Sequence, residues 1–200
     1  MTELNRIYWT RFGMRFGYGA TSIWLLWAGI IALQRLLTSQ QIAAVISGHL
    51  RLLWDSAVSP SVPLLAPPVA ILLLLAAAGA LLHGRDLQRR DPVRRFSRTQ
   101  GREGMARANG QCELESPIGR RCSRPAEHGD HFYPWSKGGA TSLQNFVAAC
   151  ATCNRRKGAR IPSPLVQRRL ERRRLGYFAA DTEAGAGERR ERKPVTASAA

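Results

Sequence analysis

The residues best suited to chemistry fall in one short stretch of this 200-residue chain. Cys112, Cys122, Cys150 and Cys153 lie within 42 residues, and between the two halves of the set sits Asp130-His131. Pro134, Gly138-Gly139, Asn145, Asn154 and Lys157 follow the pair. A histidine can take a proton from water near neutral pH. A carboxylate and a side-chain amide, here Asp130 and Asn154, offer hard oxygen ligands to Mg²⁺ or Mn²⁺. Four clustered cysteines make either two disulfides or one metal centre.

Compartment decides between those two, and the apolar half of the chain decides compartment. Residues 16–33, FGYGATSIWLLWAGIIAL, carry no charge, and Val62 to Leu82 form a second uncharged run. As a helix the second run would reach about 31 Å, the thickness of a bilayer core. Pro67 and Pro68 either start that helix or kink it. Two transmembrane helices, at about 16–36 and 62–82, are the reading adopted. The alternatives are two buried core helices or, for the first run, a signal peptide, although no small-x-small cleavage site follows it. Arg6, Arg11 and Arg15 precede the first run and six arginines from Arg85 to Arg98 follow the second, while the connection holds only Arg35 and Arg51. The excess of basic residues at the outer flanks puts both termini in the cytoplasm, at the cell (plasma or inner) membrane.

A cytoplasmic location is reducing, which favours zinc over disulfides. Cys150-x-x-Cys153 reads as a zinc knuckle, and Cys112 with Cys122 would complete a closed, structural four-sulfur site. Nine residues, ELESPIGRR, separate Cys112 from Cys122 and must loop out of it. Residues 83–109 are charged and read as a basic juxtamembrane linker. Ser163 as N-cap, Pro164 at the first helical position and Gly176 as a stop predict a short basic helix. From residue 179 onward the chain lacks apolar periodicity and reads as a disordered tail. Residues 83–200 hold 25 of the 30 basic residues and 12 of the 14 acidic ones, a net of +13. Such a surface suits a polyanion, either nucleic acid or an anionic leaflet.

The order Cys112…Cys122, Asp130-His131, Pro134, Gly138-Gly139, Asn145, Cys150-x-x-Cys153-Asn154 and Lys157 resembles the HNH endonuclease family. The resemblance covers about 50 residues and departs from the family pattern in the wide first cysteine spacing and in Asn154 where a final His is usual. It implies an α+β chain: a zinc-stabilised ββα-metal domain at residues 110–178, its basic helix included, behind the two membrane helices. Asp130 and His131 would end the first strand, Gly138 and Gly139 would turn the loop, and Asn154 would open the helix after the knuckle. Neighbours on a regular strand face opposite ways, so Asp130 and His131 can serve one centre only where the strand ends.

On that resemblance the chain is a membrane-anchored endonuclease that cuts DNA with a divalent metal, leaving 5′-phosphate and 3′-hydroxyl ends. His131 would be the general base, and Asn145 would fix its ring by a hydrogen bond. Asp130 and Asn154 would hold catalytic Mg²⁺ or Mn²⁺, and Lys137, Arg155, Arg156 and Lys157 would hold the DNA backbone. The partners expected are DNA and the lipid bilayer, and a homo-oligomer is compatible with both. Competing readings are a zinc-knuckle module that binds nucleic acid without cutting it, and a membrane scaffold or sensor. At single residues, Asn145 as an ordinary loop residue and His131 as a zinc ligand compete with the roles above. Tyr133 and Trp135 read as core residues.

Overall fold

The computed structural model describes residues 3–37, 48, 61–116 and 118–191. It divides into two compact units, Thr10–Leu81 and a second made of Met1–Trp9 with Leu82–Ala200. The described residues of the first unit belong mainly to two long helices, α1 (Glu3–Leu36) and α2 (Val62–Gln88). Both expected spans fall within them. Only 11% of the apolar window of α1 and 6% of that of α2 is buried, whereas the core helix of a soluble protein would be mostly covered. Within α1 the Thr21 hydroxyl donates to the Gly17 carbonyl at 2.7 Å. α2 continues through Pro67 and Pro68, so the doublet neither starts nor ends the helix.

The second unit is organised around four residues, Phe146–Ala149, which form strand β2. It pairs antiparallel with β1 (His128–His131), in the register His128 with Ala149 and His131 with Phe146. All four β2 residues are buried, so both faces of the strand are covered, as the uninterrupted apolar run suggests. On one face Val147 and Ala149 pack with the cysteines, Phe132 and Leu170. On the other, Phe146 and Ala148 pack with Phe96, Met105 and Ala108. The Phe146 ring lies so close to two backbones that a Cβ at Gly104 or Gly129 would approach it to 2.4 or 2.2 Å. Glycine is required there by space, not by backbone angle.

The edge of β2 away from β1 is closed by Glu113. Its N–H donates to the Ala148 carbonyl at 2.8 Å, and its carboxylate accepts from the Ala148 N–H at 2.9 Å. Arg174, buried with it, donates to that carboxylate at 2.9 Å and to the Phe146 carbonyl at 2.7 Å. A buried ion pair of this kind is strongly destabilising to break from one side, because the partner charge is left alone in the interior.

Three more helices complete the unit: α3 (Arg98–Arg107), α4 (Ala151–Lys157) and α5 (Pro164–Arg174), with a 3₁₀ turn at Trp135–Lys137 between the strands. α5 starts as expected, with the Ser163 hydroxyl accepting from the Val166 N–H and Pro164 in the first turn. Two expectations are corrected. Residues 83–109 are not a linker: α2 runs on to Gln88, and Ser97 with Gln100 forms a capping box that starts α3, which packs on the sheet through Met105. Nor is the chain loose from residue 179. Ala186 is buried, and residues 188–190 run beside the glycine loop, with the Ala140 N–H donating to the Glu188 carbonyl and the Arg190 N–H to the Gly138 carbonyl. Arg189 pairs there with the buried Asp86 at 3.3 Å. Residues 192–200 of the expected tail lie outside the described residues.

Candidate functional site

The four cysteines converge. Their Sγ atoms all lie within 4.8 Å of one another, and all four residues are buried. A tetrahedral zinc with bonds of 2.3 Å would set its sulfurs about 3.8 Å apart, and Cys122 and Cys150 stand at 4.0 Å. The wide first spacing is taken up by a hairpin: the Cys122 N–H donates to the Leu114 carbonyl at 3.0 Å, and Glu115 pairs with Arg121. Cys112 and Cys122 thereby face each other across two short strands instead of along one turn. Cys150 also caps α4, its sulfur accepting from the Cys153 N–H at 3.5 Å. Burial pushes Cys153 up to about 12; burial also raises Cys150, but its hydrogen bonds with Cys153, Cys112 and Cys122 together outweigh that and bring it down to about 7. Four thiolates cannot share such a space unless a cation neutralises them, so this donor set fits a metal ion such as zinc.

The end of β1 borders a cleft of about 780 Å³. Asp130, His131, Asn154 and Lys157 line it, with Arg94, Arg95 and Phe96 on a further wall. β1 ends at His131, and this lets the two neighbouring side chains reach one cleft. Asp130 Oδ2 receives the Lys157 ammonium at 2.8 Å. His131 stacks on Phe96, ring centres 4.4 Å apart and 30° between planes, and its Nε2 lies 3.0 Å from the Thr141 hydroxyl. Burial lowers the pKa of His131; the nearby Lys157 and Arg94 add to this, and Asp130 and Asp91 oppose it. The ring therefore stays neutral, and able to accept a proton, below the ordinary histidine range.

A two-stranded antiparallel sheet followed directly by a helix, with a four-cysteine cluster and an Asp-His pair, completes the pattern. Residues 119–160 match the HNH endonuclease family. No curated protein and no solved structure matches the chain. Cys112, Glu113, α3 and α5 all stand outside the matched HNH segment, although the first belongs to its cysteine centre.

Within the HNH segment, several residues sit otherwise than expected. Asn145 does not fix the His131 ring. Its Oδ1 accepts from the Tyr133 N–H at 2.8 Å and the Glu188 N–H at 3.3 Å, and its Nδ2 donates to the Tyr133 and Ala140 carbonyls at 3.0 and 2.7 Å. All its hydrogen-bonding capacity goes into tying both ends of the glycine loop, and the group on the ring is Thr141. α4 opens at Ala151, so Asn154 is its fourth residue. About 100° of helix rotation then separates Cys153, which faces the cysteine centre, from Asn154, which faces the cleft.

Lys157 is engaged with Asp130, and the Arg156 guanidinium bonds the Glu115 carbonyl beside the cysteine hairpin. Arg155 is exposed, and Lys137 is half-buried in the 3₁₀ turn, outside the cleft wall. Gly138 turns the loop with φ of 87°. Tyr133 is core, as expected, but Trp135 lines the cleft with Arg90 and Arg94 over its ring.

Sequence reasoning missed Phe96, Arg94, Arg95 and Thr141. The one available signal was Ser97-x-x-Gln100, a helix start inside the supposed linker.

Proposed function

We propose that the chain is a membrane-anchored HNH endonuclease that hydrolyses DNA phosphodiester bonds. The observation that carries the reading is the convergence of Asp130, His131, Asn154 and Lys157 on one cleft of the matched HNH segment. His131, held against Phe96 and kept neutral by burial, takes a proton from the attacking water. Asp130 and Asn154 would hold Mg²⁺ or Mn²⁺ through one carboxylate and one amide oxygen, a weak donor pair that DNA oxygens would complete. Such an ion, when bound, supplies positive charge to the phosphoryl oxygens and the departing 3′-oxygen. Lys157 steadies the Asp130 carboxylate, and Arg94, Arg95 and the exposed Arg155 bring positive charge to the cleft and its rim for the strand backbone.

The zinc centre has no open position, so its part is to hold the strands and α4 together. α1 and α2 would anchor the chain in the cell membrane, with the nuclease domain on the cytoplasmic side, where thiolates stay reduced. Supporting this are the length, apolar character and exposure of both helices.

Metal dependence tests the catalytic half. Zinc-loaded full-length protein should nick plasmid only after Mg²⁺ or Mn²⁺ is added, and Asp130→Ala should need far more ion to do so. Carbonate extraction tests the anchor, since an integral protein stays with the membrane pellet and a release into the supernatant would refute it.

A further inference from the structure

The hydroxyl of Thr141 meets two groups. It donates its single hydrogen to the Val93 carbonyl at 2.5 Å, because a carbonyl can only accept. Thr141 Oγ1 therefore faces His131 Nε2, 3.0 Å away, with a lone pair, and Nε2 must carry a hydrogen. In the neutral ring this leaves Nδ1 as the nitrogen able to accept a proton.

Thr141 is itself held by the chain that leaves α2. Its N–H donates to Asp91 Oδ2 at 3.1 Å, while Asp91 Oδ1 accepts from the Val93 N–H at 3.0 Å. The Asp91 carbonyl accepts from the Trp135 indole at 2.8 Å, and Phe96 covers the ring of His131. We propose that Thr141 is a positioning residue that fixes His131 in the Nε2–H tautomer, and that residues 91–96, outside the HNH segment, make it one. The proposal rests on the reading of His131 as general base. It makes the exit from the second apolar helix a structural part of the site, since without the Val93 carbonyl the Thr141 hydroxyl would be free to donate to the ring and select the other tautomer.

Two readouts on the full-length protein test it. In chain carrying ¹⁵N-labelled histidine, with the His131 signals identified by their loss in His131→Asn, two-bond nitrogen–proton couplings should show the hydrogen on Nε2. Thr141→Val should give a mixture of tautomers. In plasmid cleavage, Thr141→Val should lower kcat by about 10- to 100-fold with KM nearly unchanged, and Thr141→Ser, which keeps the hydroxyl, should recover most of it. A hydrogen on Nδ1 in the unaltered chain, an unchanged kcat in Thr141→Val, or a serine variant as poor as the valine one would overturn the proposal. A chain that never nicks DNA, yet loses the Nε2–H form in Thr141→Val, would support the tautomer assignment and overturn the nuclease reading instead.

Discussion

The cysteine centre and the Asp-His cleft hold their donors differently. At the centre four buried sulfurs point at one another, so the arrangement is complete only with a cation among them. In the cleft the donors are already engaged with protein: Asp130 with Lys157, His131 with Thr141 and Phe96. The first is suited to permanent occupancy, and under the proposed function the second would exchange a weakly held ion and a substrate. α4 joins the two, carrying Cys153 to one and Asn154 to the other.

That contrast can be broken from either side. The largest effect should come from Cys150→Ser or from stripping zinc: structural zinc contributes on the order of 10 kcal/mol to small domains, so the C-terminal unit should lose its cooperative melt along with its zinc. His131→Ala should do the opposite, retaining stoichiometric zinc while plasmid cleavage falls by about 10²- to 10⁴-fold. Gly129→Ala tests the packing between the two sites; a Cβ would press on the Phe146 ring, and a loss of about 1–3 kcal/mol should appear in thermal melts.

The pH profile separates the two sites as well. Because burial lowers the His131 pKa, kcat/KM should fall off on the acid side only below about pH 6.5, the ordinary histidine value. The same shift makes the fold lose stability as pH falls below that value, since the unfolded chain binds the proton more readily. The smallest effect belongs to Arg155→Ala at the exposed end of α4. It should leave stability within about 0.5 kcal/mol and weaken binding evenly across DNA sequences, lowering the salt slope by about 1.

The chemistry was legible in the sequence where it depends on spacing along the chain. Cys150-x-x-Cys153 brings two sulfurs together in a single turn, and Ser163-Pro164 starts a helix by local rules alone. What was not legible depends on partners distant in sequence. Phe96 lies among arginines in the sequence, and only the fold brings Phe146 of β2 and His131 of β1 to it. Nothing in the spacing of Glu113 and Arg174 signals that they form a buried pair 61 residues apart. Residues 188–190 show no helical or strand period, yet they dock on the glycine loop by backbone hydrogen bonds and pair Arg189 with Asp86. Asn145 was recognised as important from the motif, but its partner could not be, since amide capacity suits a ring and a backbone equally.

Under the proposed function the cleft cuts DNA with His131 as its base while zinc only holds the fold. The most direct measurement is plasmid nicking by full-length, zinc-replete protein in the presence of Mg²⁺ or Mn²⁺, set beside His131→Ala with the same zinc content. Nicking is expected from the first and almost none from the second. No nicking by the unaltered chain, or equal nicking by both, would contradict it.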